Sequence, residues 1–131
     1  MKLEYFDDAF DGNGLLLLHS GSPGEVSRLR ATLQKLLVAG ASVSLHDLDF
    51  VEAVESCEVT AFSAANGRGV RPLAEESLAF EWSLSPANWE RAADLLEPFC
   101  HALPTGGAGA HFQYLHEFGG TEVIYSTAKE W

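Results

Sequence analysis

The sequence predicts an α+β fold, a mostly antiparallel sheet with two main helices packed on one face. Three observations carry this: two helix-start signatures, period-two apolar alternation in the segments around them, and turn residues where hairpins need them. A single domain covering residues 1–131 is expected, because a chain of this length is too short for two ordinary ones.

Leu3–Phe6 and Leu15–His19 flank Asp11-Gly12-Asn13-Gly14, which makes a first hairpin candidate. Next, Ser22-Pro23-Gly24-Glu25 reads as an N-cap, a proline at the first helical position and a glutamate at the third, a capping box. Val26, Leu29, Leu33, Leu36 and Leu37 form the apolar stripe of that helix, and Gly40 closes it. A short strand at Val43–Leu45 follows. Cys57, Val59 and Ala61 alternate with Glu58, Thr60 and Phe62, and Asn66-Gly67 can form a tight hairpin turn. Leu78, Phe80, Trp82 and Leu84 alternate with Ala79, Glu81 and Ser83, the pattern of a half-buried strand.

The second helix opens at Ser85-Pro86, with Leu84 placed to staple against Trp89. Ala92, Ala93, Leu96, Phe99 and Cys100 continue its apolar side, and Pro98 ends or kinks it near Leu96–Glu97. Pro104–Gly109 is a loose connection. Residues His111–Phe118, Gly119-Gly120 and Thr121–Ser126 read as a C-terminal hairpin. The expected order is β-β-α-β-β-β-β-α-β-β. Hairpins dominate it, hence the expectation of an antiparallel sheet.

A domain of this size buries about two-thirds of its unfolded surface, so it needs no disulfide or metal to fold. Neither a metal nor another cofactor is expected. Cys57 and Cys100 are the two cysteines, and without a Cys-x-x-Cys spacing they read as buried thiols in a reducing compartment. Acidic residues arrive early in the N-terminal segment and the longest apolar stretch near it is Leu15–Leu18. A signal peptide or membrane span is therefore not expected, and a cytoplasmic location is. Eight basic residues against nineteen acidic ones give a formal charge of -11. Such a charge repels nucleic acid and anionic membranes and favours a basic partner, while also serving solubility.

Several segments invite a chemical reading, each beside a plainer one. Asp7 to Gly14 has acids at calcium-loop positions one and five and a glycine at six. Ala9 at position three and Leu18 at position twelve lack the oxygens calcium requires, so a polar turn explains it. Ser20-Gly21-Ser22 lies between a strand and a helix but lacks the glycine spacing of a nucleophile elbow or phosphate loop, so helix capping explains it. The histidines, His19, His46, His101, His111 and His116, show no helical i, i+4 zinc pair. A Cys/His nucleophilic pair is conceivable, but capping and surface roles account for them. The aromatic residues on apolar stripes are accounted for by packing; Tyr125 and Trp131 are left open.

The acid run Asp47, Asp49, Glu52, Glu55 and Glu58 is uninterrupted by any basic residue, and Phe50, Val51 and Val54 are interleaved with it. A solvated loop is the plain reading. The mixture of acids and apolar anchors also suits an interface for a basic protein. Asp47, Asp49, Phe50, Glu52 and Glu55 are the candidate binding residues, and no catalytic residue is singled out.

His111-Phe112-Gln113-Tyr114-Leu115 followed by Thr121-Glu122-Val123-Ile124-Tyr125-Ser126 resembles the closing hairpin of small uncharacterised bacterial proteins of the toxin-immunity type. The resemblance covers about the last fifth of the chain. It implies a cytoplasmic bacterial protein that binds and blocks one toxin, and it brings no site residues with it. The leading expectation is thus a non-enzymatic protein-binding domain, an immunity-type inhibitor of a basic toxin. A small-molecule or peptide-binding module is the alternative, with an enzyme built from distant residues as a third.

Overall fold

Both serine–proline signatures form the helices they predict. The computed structural model describes residues 1–10, 13–20, 22–75, 77–101, 112–116 and 121–127. Helix α1 runs Pro23–Gln34 and α2 runs Pro86–Leu96. The hydroxyls of Ser22 and Ser85 accept the backbone N–H groups of Glu25 and Asn88, each at 3.3 Å. Each therefore satisfies one of the orphan donors of its first turn. Leu84 and Trp89, the predicted staple, are both buried in the same core. Helix α2 gives way at Leu96 to a 3-10 turn, Glu97–Cys100, where Pro98 stops it.

Among the described residues nine strands accompany the helices: β1 (Lys2–Phe10), β2 (Asn13–His19), β3 (Ser42–Ser44), β4 (Glu52–Ala53), β5 (Glu58–Ser63), β6 (Gly69–Pro72), β7 (Ala79–Leu84), β8 (Phe112–His116) and β9 (Glu122–Ser126). The class is α+β, but the strands form two mixed sheets rather than one mostly antiparallel sheet. A five-stranded sheet has the order β4-β1-β2-β9-β8, and a four-stranded sheet has the order β3-β5-β7-β6. Pairs β1–β2, β3–β5, β6–β7 and β8–β9 are antiparallel. Pairs β1–β4, β2–β9 and β5–β7 are parallel. Hairpin signals describe only neighbours in sequence, whereas a parallel pair joins segments separated by a long connection. Among the described residues a bridge between Val70 and Thr121 links the two sheets.

The Asn66-Gly67 turn forms, with Gly67 N–H donating to the Ala64 carbonyl at 3.0 Å, but it does not make a β5–β6 hairpin. Strand β7 lies between β5 and β6 and pairs with both. Gly67 is pressed so close to β7 that a Cβ there would come 2.5 Å from the Leu84 Cα. The turn thus packs on the end of β7 instead of reversing β5 onto β6. The tips of the two terminal hairpins, with Asp11, Gly12 and residues 117–120, and the Pro104–Gly109 connection lie outside the described residues.

One contiguous core takes side chains from both helices and from one face of each sheet. Val59, Ala61, Phe80 and Trp82 supply the four-stranded sheet's part, and Leu3, Leu16, Leu18, Val123 and Tyr125 the other sheet's. Trp82 meets Trp89 edge-on at 4.6 Å between centroids, and the Trp89 indole N–H donates to the Phe62 carbonyl at 3.0 Å. The five-stranded sheet has a second apolar cluster on its other face, where Leu15, Leu17 and Ile124 are fully buried beside Phe6, Phe112 and Tyr114. Among the described residues no helix is long and apolar enough to cross a membrane.

Candidate functional site

The acid run leaves β3 through a 3-10 turn, Leu45–Asp47, whose first residue is buried in the core. His46 then does what a strand residue would do. Its Nδ1 accepts the Val59 N–H at 3.0 Å, so the imidazole prolongs the edge of β5 beyond the reach of β3. An acceptor Nδ1 leaves the proton of the neutral ring on Nε2, which lies 3.7 Å from the Asp47 carboxylate. His46 is a capping histidine, as the sequence suggested.

Beyond it the apolar residues of the run turn inward. Leu48, Phe50 and Val51 are partly buried against the core. Phe50 does not stand out as a surface anchor. The Arg28 guanidinium of α1 lies over its ring, 4.5 Å from the centroid, and also donates to Asp49. Lys2 of β1 lies 3.9 Å from Glu52 on the adjoining β4. Asp49 and Glu52 are thus each matched with a cation. Glu55 and Glu58 have no ion pair among the described residues, and Asp47 has only His46. The carboxylates remain open to solvent, with Asp47, Asp49 and Glu52 side chains 76%, 80% and 72% exposed. Exposed pairs of this kind contribute little to stability.

Between Glu52 and Glu58 the chain passes from one sheet to the other. Glu55 (φ 55°) and Ser56 (φ 61°) are both left-handed, and Cys57 N–H donates to the Val54 carbonyl at 3.1 Å. This is a type I′ geometry, which ordinarily uses Asn-Gly.

The solvent side of the four-stranded sheet adjoins this turn. Register places Glu58, Thr60 and Phe62 of β5 on it, beside Ala79 and Glu81 of β7; Ser83, next in that register, is buried, its hydroxyl accepting the Arg68 N–H at 2.9 Å. Ser42 and Ser44 of β3 and Arg71 of β6 complete it. Both helices pack on the opposite face. Phe62 and Glu81 were missed as site residues in the sequence, although the period of two was plain. The overlooked signal was a phenylalanine in the polar register of a half-buried strand.

Other candidates resolve into structure. Ser20 Oγ donates to Glu25 at 2.5 Å and accepts the Ser22 N–H at 3.1 Å. The reciprocal half of the capping box is therefore relayed through Ser20. The freed Glu25 oxygen takes the buried Met1 ammonium at 2.8 Å. These donated hydrogen bonds, the ammonium's first, hold the Glu25 carboxyl below its usual range. Tyr125 is buried, with its hydroxyl donating to the Ser20 carbonyl at 2.6 Å. Burial pushes its phenol up to about 12. Cys57 and Cys100 are both free, and burial pushes the Cys57 thiol up to about 11, so it carries no thiolate at neutral pH. His101 pairs with Glu97 at 2.8 Å on the surface.

Glu4, His19 and Ser126 form a row across β1, β2 and β9 on the outer face of the five-stranded sheet. His19 Nε2 is 3.9 Å from Glu4, and His19 is in register with Ser126. Carboxylate, imidazole and hydroxyl are the elements of a nucleophilic triad, but Ser126 is fully buried beside an apolar cluster. Asp7 to Phe10 are strand residues of β1 rather than the start of a wrapped calcium loop. Among the described residues no three His, Cys, Asp or Glu side chains converge as metal ligands would. Asp11, Gly12, His111 and Trp131 lie outside the described residues. Comparison with family models, curated protein sequences and solved structures finds no match.

Proposed function

We propose that this chain is a non-enzymatic protein-binding domain that docks a basic partner, in the manner of an immunity protein blocking a cationic toxin domain. The observation that carries the reading is the solvent exposure of the Asp47, Asp49 and Glu52 carboxylates along one crossing segment, on a chain whose formal charge is -11. Acids at the rim speed encounter with lysine and arginine and suppress acidic competitors. Blocking is steric and electrostatic. It requires no catalytic group here, and the partner acts in the same cytoplasmic compartment.

Affinity capture from the organism's own lysate at low and high salt tests this. A basic protein retained at low salt and weakened at high salt is expected, and its own activity is then assayed with and without this chain. Asp47→Lys with Asp49→Lys is expected to lower the affinity for that protein and flatten its salt dependence. A double variant that binds the same partner with unchanged salt dependence defeats the proposal. A second reading, a small-molecule or peptide-binding module, draws on the solvent side of the four-stranded sheet, which lies opposite both helices.

A further inference from the structure

We infer that the docking face is centred on the solvent side of the four-stranded sheet, with Phe62 as its apolar centre, and that its occupant is a lysine- and arginine-rich segment of a partner protein. The inference rests on the protein-binding reading above and relocates its centre.

Phe62 is the first reason. It is only partly buried, and it is not among the side chains packed on either apolar cluster. Core packing explains Val59 and Ala61 on the same strand, but not a phenylalanine in the outward register. Its neighbours in register are exposed Ser42 on one side and, on the other, Ser83, which is itself buried with its hydroxyl accepting the Arg68 N–H; both are too small to cover its ring. A lone aromatic ring ringed by polar groups is the composition of an interface centre.

Charge is the second reason. Two acids of the run, Asp49 and Glu52, are matched by Arg28 and Lys2, on the side of α1 and the five-stranded sheet. Those not so matched gather around β5. Glu58 lies on the outer face of β5, and Glu81 lies diagonally across from it on β7. His46, bonded to Val59, holds Asp47 beside the edge of β5 between Glu58 and Thr60. Glu55 heads the turn that leads into the strand. Among the described outward positions of these four strands Arg71, opposite Glu81, is the one cation, with exposed Arg68 just before β6. Four acids against one arginine make the Glu58–Glu81 end of this face electronegative, on the same strand as the aromatic ring. That complements a cationic segment and repels an acidic one. The hydroxyls of Ser42, Ser44 and Thr60 offer hydrogen-bond partners across the same face.

The test is a nuclear magnetic resonance titration of the full chain at low salt with a synthetic lysine- and arginine-rich peptide. It is repeated with Phe62→Ser, with Glu58→Lys plus Glu81→Lys, and with Asp49→Lys plus Glu52→Lys. Far-ultraviolet circular dichroism and thermal melting establish that each variant is folded. Shift changes centred on the amides of β5 and β7 are expected. Affinity should fall by about tenfold or more for Glu58→Lys plus Glu81→Lys and severalfold for Phe62→Ser, and be least changed for Asp49→Lys plus Glu52→Lys. Shifts confined to residues 47–53 and indifferent to Phe62→Ser overturn the inference while leaving an acidic docking loop standing. Concentration-dependent line broadening that Phe62→Ser removes assigns the face to a second copy of this chain and also overturns it. No binding at low salt by any variant overturns both the inference and the protein-binding reading.

Discussion

The two sheets of this chain solve different problems. The five-stranded sheet carries buried apolar side chains on both faces. Leu16 and Leu18 enter the main core, while Leu15 and Leu17, their neighbours on β2, are equally buried on the other side. In the four-stranded sheet one face forms core, and β5 alternates Val59, Ala61 and Ser63 inward with Glu58, Thr60 and Phe62 outward, although Gly69 and Ser83 at one end of the outward face are also buried. A sheet buried on both sides is committed to stability. A sheet with one open face keeps surface available for recognition, and its outward residues are under little packing constraint.

The sharpest way to break that comparison is to truncate one residue from each kind of outer face. Leu17→Ala is expected to cost about 2–5 kcal/mol in chemical denaturation, because Leu17 is fully buried and the space cannot fully collapse. Thr60→Ala, one of the outward residues of β5, should change stability by no more than about 0.5 kcal/mol. Equal costs at the two sites would mean that both sheets are covered on both sides, and the open docking face would be lost with the distinction.

The sequence shows this difference more clearly than an alternation count suggests. The alternating strands were legible, as were both caps and the stop at Pro98. Leu15–Leu18 was legible as part of a hairpin strand, Leu15–His19, and as a run too short to cross a bilayer. Its further meaning is a strand with both faces buried, and Val123-Ile124-Tyr125 repeats it on β9. Such continuous runs accompany parallel pairing, and β2 and β9 are indeed parallel. The two-residue β4 has no sequence signature, because it pairs with β1 through register set elsewhere. In the acid run the charges were legible but not their partners. Arg28 lies on α1 and Lys2 at the chain's start, and only tertiary packing brings them to Asp49 and Glu52. Phe50 read as an anchor because local sequence cannot show that Arg28 covers its ring.

Anchoring differs between the sheets as well. The corner of the five-stranded sheet is tied to α1 through Tyr125, Ser20, Glu25 and the Met1 ammonium. Glu25→Gln should cost about 2 kcal/mol at neutral pH, since it removes the charge from hydrogen bonds that serve a buried ammonium. The carboxyl is held below its usual value of 4.5, so its stabilisation is complete above that value and is lost as pH falls through the lower folded one. Denaturation curves for the two proteins should therefore converge on acidification. Curves that stay parallel down to the lowest pH would show that the charge of Glu25 contributes nothing.

At the edge of the four-stranded sheet one side chain does comparable work. His46→Ala leaves the buried Val59 N–H without its acceptor, at an expected cost of about 1–2 kcal/mol. Hydrogen exchange distinguishes a local from a global loss. The Val59 amide should exchange faster than stability alone accounts for, while the Leu17 amide should track global unfolding. If Val59 stays as protected as Leu17, the imidazole is not what closes that edge.

The smallest effect is expected where the chain crosses between the sheets, at the Val54–Cys57 turn. Ser56 adopts φ 61°, a left-handed conformation that disfavours any residue with a Cβ by roughly 1–2 kcal/mol. Ser56→Gly relieves that strain but also frees the unfolded chain, which offsets roughly 0.4–1 kcal/mol. The balance is a gain of about 0.5 kcal/mol, read as a small rise in the denaturation midpoint. Because Ser56 lies outside the proposed docking face, partner affinity should not move with it. A rise in stability joined to a loss of affinity would instead show that the strained crossing holds Glu55 in place for the partner. The strain at Ser56 would then serve recognition as well as the connection between the two sheets.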